Sequence, residues 1–140
     1  MTEGGQPRSG IERRRVVVTG LGVVSPVGSD VATVWRRLND GESGLSRITR
    51  FDPSGLSTQI AGEVSEFDPS AFVSRKELRR LDDFAKYAIG AADMAVSDAK
   101  LDGAEVDGDR CGVVLGSSIG GLDTIQFGHY NYVTRGPNST

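Results

Sequence analysis

Apolar positions along this chain fall into blocks that differ in period. Val16-Val17-Val18 leads through Thr19, Gly20, Leu21 and Gly22 to Val23-Val24, a β-branched run with no polar face. Such a run suits a strand buried on both sides. Val31, Val34, Trp35 and Leu38 then recur at helical spacing, with Ser29 and Asp30 available as caps and Gly41 as the stop. After a loop marked by Gly44, Asp52-Pro53 and Gly55, residues 59–64 read as a short strand or extended segment.

Ser74 stands three residues before Glu77, the spacing of a capping box, so a helix is expected to begin at Arg75. At about 100° per residue, Leu78, Leu81, Ala85, Ala88, Ala92, Val96 and Ala99 share one face, and Asp82 and Asp83 mark where the run can break in two. So many alanines on one face imply close packing against a neighbour. Residues 110–116 read as another buried strand, turning through Ser117-Ser118-Ile119-Gly120-Gly121 into a last helix over 122–133. The alternation of strand and helix predicts an α/β layered sheet. Its last helix is followed by Gly136-Pro137-Asn138-Ser139-Thr140, a turn composition with no closing strand, so the sheet is expected to be incomplete and the chain to stop at a fragment boundary. Residues 1–12, polar and rich in glycine, are expected to form a flexible tail ahead of an ordered portion at 13–140.

Composition narrows the function classes. With 140 residues the chain holds one domain or part of one, and 37% hydrophobic with 25% charged residues is ordinary for a globular protein. A net charge of −3 gives no reason to expect nucleic acid as the partner. A single cysteine, Cys111, forms no intramolecular disulfide, and neither a secretory signal nor a membrane-length apolar run is visible, which points to the cytoplasm. One histidine and one cysteine supply too few ligands for a metal site, and no cofactor is expected.

The glycines after the first run invite a dinucleotide-binding reading, in which a backbone approaches a pyrophosphate at a helix start. The spacing argues against it: Ser25 stands where the third glycine is needed, and Pro26 interrupts the passage into a helix. A nicotinamide-dependent reductase is therefore the weaker alternative.

The block Arg13-Arg14-Arg15-Val16-Val17-Val18-Thr19-Gly20-Leu21-Gly22-Val23-Val24-Ser25-Pro26-Val27-Gly28 instead resembles the opening strand of the β-ketoacyl-[acyl carrier protein] synthases, condensing enzymes of the thiolase fold. Three more blocks agree in order: Gly41-Glu42-Ser43-Gly44 with Phe51-Asp52-Pro53, Ser74-Arg75-Lys76-Glu77-Leu78-Arg79-Arg80-Leu81-Asp82, and Gly116-Ser117-Ser118-Ile119-Gly120-Gly121-Leu122. The resemblance covers the chain from Arg13 onward and implies the amino-terminal part of a layered αβαβα fold.

It also implies an acyltransferase of the elongating type, carrying out a decarboxylative Claisen condensation in fatty acid synthesis, dimeric in its full-length form. The partner so implied is acyl carrier protein with phosphopantetheine-linked acyl and malonyl groups. Arg75, Lys76, Arg79 and Arg80, spread over about 140° of one helix opposite Leu78 and Leu81, read by themselves as a solvated face. With the resemblance they become the docking patch for that acidic carrier. Ile119 is carried over as a residue lining the acyl pocket near the dimer interface. The family's nucleophilic cysteine lies in a small-residue context at the end of a later strand, so no catalytic residue is expected within this chain. Cys111, in Arg110-Cys111-Gly112, fits an inert core position instead, and His129 fits neither of the family's histidine motifs. Asp82, Asp83 and Asp93 are unassigned. A non-catalytic chain-length subunit of a polyketide synthase is the alternative within the same fold.

Overall fold

The computed structural model describes residues 14–101 and 104–137. The expected tail at 1–12 and the chain end at 138–140 lie outside the described residues. The first helix, α1 (Val31–Asn39), is opened by Asp30 rather than Ser29: its carboxylate accepts the Thr33 N–H at 2.8 Å, satisfying one of the amides that a helix start leaves free. Just past the far end, Gly41 turns the chain at φ +73°, a left-handed conformation that glycine enters without steric cost.

The expected strand over 59–64 shrinks to two residues. β1 (Ser46–Arg47) pairs antiparallel with β2 (Ile60–Ala61), Ser46 opposite Ala61 and Arg47 opposite Ile60. Side chains take over where the ladder stops. The Glu63 carboxylate accepts the Thr49 N–H at 3.1 Å, the Thr49 hydroxyl at 2.7 Å and the Arg50 N–H at 3.2 Å. These bonds hold the Glu63 carboxyl below its ordinary range, the Thr49 hydroxyl contributing most.

Further along, the run of helical spacing divides at the aspartates. A 3-10 turn (Pro69–Ala71) capped by Asp68 leads into α2 (Arg75–Leu78), and α3 (Asp83–Asp98) begins only after an extended Asp82 at ψ 161°. That turn packs against both α2 and α3. Phe67 stacks on Phe72 at 5.6 Å and meets Tyr87 edge-on at 5.7 Å. Beneath them Gly90 is buried, and a Cβ there would come within 2.5 Å of the Phe67 ring. Among the described residues Val73, 8% exposed, is the one buried hydrophobic side chain.

Two expected strands are not built. Residues 14–24 and 111–119 have no ladder partner among the described residues, apart from an isolated bridge between Ser25 and Gly28. The reason is physical: a strand is completed by a neighbour's N–H and C=O groups, and nothing described here offers them. Val16 is therefore 89% exposed and Val114 99% exposed, although their composition is that of a sheet interior. Cys111, expected in a core, is exposed at the end of a 3-10 turn (Gly108–Arg110). The expected incompleteness of the sheet is thus visible as two apolar runs without neighbours.

The glycine run nonetheless packs on one side. Gly20 and Gly22 lie against a stripe of α3 beside the expected face: a Cβ on Gly20 would crowd Ala95 and Ala99 and one on Gly22 would crowd Ala91 and Ala95. The Leu21 N–H donates to Asp98 Oδ2 at 2.9 Å. The expectation is corrected in part: of the expected face Ala99 meets this backbone, while Ala92 and Val96 are exposed.

Candidate functional site

The basic cluster is positioned by the short helix α2. Ser74 caps it: its hydroxyl oxygen accepts the Glu77 N–H at 3.4 Å, while its hydroxyl proton goes to the Glu77 carboxylate. The reciprocal half of the capping box is therefore made side chain to side chain rather than back to the Ser74 amide. Four residues are too few to carry the whole cluster. Arg79 is the C-terminal cap and Arg80 sits on the following turn, its N–H bonded to the Glu77 carbonyl. The expected spread of four cations over a single helix face is corrected accordingly: two lie on α2 and two on the bend after it.

The bend draws the four together. Arg75, Lys76, Arg79 and Arg80 line one open depression of about 350 Å³. All four are exposed, and none makes a side-chain hydrogen bond or ion pair among the described residues. Arg14, Arg15, Arg47, Lys100, Arg110 and Arg135 likewise show no side-chain partner among the described residues but do not share this depression, whereas other cations are held internally. Arg37 bonds the Val27 carbonyl at 2.7 Å and the Glu66 carboxylate at 2.9 Å, and Arg50 and Lys86 share Asp83. The Lys86 hydrogen bond, assisted by Arg50, holds the Asp83 carboxyl below its ordinary range despite its partial burial. Those charges are matched internally, and the α2 cluster is left to meet charge from outside.

Ile119 stands apart from the cluster in sequence, on the turn that enters α4 (Leu122–Arg135), and is 68% exposed. Gly120 adopts φ +77° beside it. Cys111 is exposed, and His129 is exposed on α4. No group of three or more His, Cys, Asp or Glu side chains suited to a metal occurs among the described residues. Nor is any helix among them long and apolar enough to cross a membrane. At the turn once considered for a dinucleotide, α3 occupies the side on which Gly20 and Gly22 allow close approach.

One functional candidate escaped the sequence reading. Asp82, left unassigned there, reaches across to α4: its carboxylate accepts the Thr124 hydroxyl at 2.7 Å and the Thr124 N–H at 3.4 Å. The cap position of α4 is Gly121, which has no side chain to do this. The signal in the sequence was the helix start at Gly120-Gly121 with no capping residue of its own.

The N-terminal domain of the β-ketoacyl synthases matches residues 13–138. Among curated proteins, the chain is 44% identical over 127 residues to the 3-oxoacyl-[acyl-carrier-protein] synthase 2 of Vibrio harveyi, covering 91% of this chain and 31% of that protein. It is 44% identical to the enzyme of the same name from Staphylococcus aureus strain COL, covering 90% and 30%, and 45% identical to that of Coxiella burnetii, covering 91% and 31%. The chain thus spans about a third of the length of these relatives. Two solved structures share its fold. One is described as the ishigamide ketosynthase/chain length factor, with TM-score 0.70, 33% identity, and coverage of 89% of this chain and 31% of that one. The other is a type II polyketide acyl carrier protein in complex with its ketosynthase, with TM-score 0.72, 28% identity, and coverage of 91% and 33%. The thiolase-like α/β class expected from the motifs is the class of these ketosynthases, of which the helices and the two unpartnered apolar runs are a part. Matched from residue 13 to residue 138 by the N-terminal domain of that family, this chain belongs to the β-ketoacyl synthases.

Proposed function

We propose that this chain is the carrier-docking part of a β-ketoacyl-[acyl carrier protein] synthase that lengthens acyl chains in fatty acid synthesis. The observation that carries this reading is the depression formed by Arg75, Lys76, Arg79 and Arg80, four exposed cations without internal partners. An acidic carrier protein is the complementary partner, and exposed charges of this kind steer encounter and fix orientation. A ketosynthase solved together with its acyl carrier protein supports the choice of partner, and the curated relatives named 3-oxoacyl-[acyl-carrier-protein] synthase 2 support the reaction.

In that reaction the acyl group passes from the carrier's phosphopantetheine thioester to a cysteine thiol, releasing the carrier thiol. The malonyl unit then loses carbon dioxide, and the carbanion left behind attacks the enzyme thioester. The cysteine thiolate departs, and the β-ketoacyl chain is carried away on the second carrier. Cys111 stands outside this scheme, since it follows Arg110 and precedes Gly112 rather than lying in a small-residue nucleophile motif. Ile119 is assigned to the acyl pocket, and the working form is a cytoplasmic homodimer. A chain-length partner subunit is the second reading, favoured by the ishigamide structure at 33% identity but set against 44% identity to the fatty acid enzymes.

The test is carrier binding by the full protein. Arg79→Glu with Arg80→Glu is expected to weaken binding of acyl carrier protein about tenfold in 0.1 M salt and to change it little in 1 M salt, where screening is nearly complete. Undiminished binding at low salt overturns the docking assignment. Absence of β-ketoacyl product from acyl- and malonyl-carrier overturns the reaction.

A further inference from the structure

Asp82 occupies a position that its neighbours do not explain. It stands at the N-cap of α3, yet its carboxylate makes no capping bond to that helix. The carboxylate turns instead to α4, accepting both the hydroxyl and the N–H of Thr124. Thr124 is the third residue of α4, so Asp82 fills from another segment the role that a serine or aspartate would fill at position 121. The arrangement requires glycine there: a Cβ on Gly121 would overlap the Asp82 carboxylate. A second side chain of the same segment reinforces the contact, since the Phe84 ring lies 3.8 Å from the Cβ position of Gly120 and 3.7 Å from that of Gly121.

This places one carboxylate between two parts of the proposed site. On its own side, Asp82 ends the bend that carries Arg79 and Arg80. On the other, it fixes the start of α4, directly after the turn that carries Ile119. We infer that Asp82 is a positioning residue: its carboxylate, capping α4 from the α2–α3 joint, sets where the Ile119 turn stands, so that acyl-chain selection depends on it while carrier docking does not. The inference rests on the reading of Ile119 given above. No contact between Asp82 and substrate is implied.

The experiment compares acyl-chain preference with carrier binding in the full protein, using Asp82→Ala, Asp82→Asn and Thr124→Val. Preference is the ratio of kcat/KM for a long and a short acyl-carrier substrate. Asp82→Ala is expected to shift that ratio about fivefold, a change of about 1 kcal/mol between the two transition states. Its carrier Kd should stay within about twofold of wild type. Asp82→Asn keeps an acceptor and the side-chain volume and should shift the ratio less, as should Thr124→Val, which keeps the amide bond. A lowered melting temperature with an unchanged ratio in both Asp82 variants overturns the inference and leaves a purely structural cap. A loss of carrier binding equal to the loss of activity overturns it as well. Ile119→Phe separates the two readings. Should it move the ratio while Asp82→Ala does not, the pocket assignment stands and the positioning role fails; should it leave the ratio alone, the pocket assignment fails and the inference resting on it falls too.

Discussion

Replacing Gly22 by alanine tests how closely the first apolar run lies on α3. A Cβ at this position would overlap the Ala91 carbonyl and approach the Ala95 nitrogen to 2.8 Å, and both are helix backbone that does not rotate away. Accommodation requires residues 19–24 to lift from the helix, and that strains the 2.9 Å bond from the Leu21 N–H to Asp98. Overpacking of this kind costs about 1–3 kcal/mol and a lost exposed hydrogen bond about 0.5–1 kcal/mol more, so a loss of roughly 1.5–4 kcal/mol is expected. At about 2.1 cal/mol/K per residue, that lowers the melting temperature by roughly 5–14 °C. The assay is thermal unfolding followed by circular dichroism. Gly55→Ala is the control, because nothing lies within 4 Å of its Cβ position and its backbone is not left-handed. A Gly22→Ala protein melting within about 2 °C of wild type would refute the argument, since the backbone would then not be seated against Ala91 and Ala95.

Two further outcomes follow from groups described above. Glu63 and Asp83 titrate below their ordinary values in the folded chain because hydrogen bonds favour their charged forms. Their contribution is therefore complete above the unfolded carboxylate values, about 4, and is lost as pH falls through the lower folded ones. Urea midpoints should fall on acidification below about pH 4, and less steeply in Glu63→Gln; superimposable profiles would dismiss the role given to Glu63. Val114, 99% exposed, should accept lysine with little change in melting temperature but with less aggregation and less binding of an apolar dye. A clear fall in stability would mean that Val114 is covered.

Features set by local chemistry were legible in the sequence, and features set by distant neighbours were not. The start of α1 at Asp30, the turn at Gly41 and the capping residue Ser74 all depend on groups a few residues apart. The two long β-branched runs carried equally clear composition, yet composition names only the environment a strand needs. Whether it becomes a strand depends on another backbone alongside, and none is described. The basic cluster was found by residue type, but its shape was not: the four cations converge because the helix ends at Leu78, not because they share its face. Asp82 was invisible for a related reason. Its partner lies 42 residues away, and an aspartate near a helix start ordinarily serves that helix.

Arg37 leaves a last consequence. Its guanidinium ties the Val27 carbonyl, Glu42 and Glu66 into one junction, joining the turn before α1, the segment after it and the approach to the aromatic cluster. Almost no sealed interior backs this junction, so dissolved ions, more than warmth, become the agent that loosens it. A chain riveted by a cation that never gives up its proton tolerates alkali readily and brine poorly.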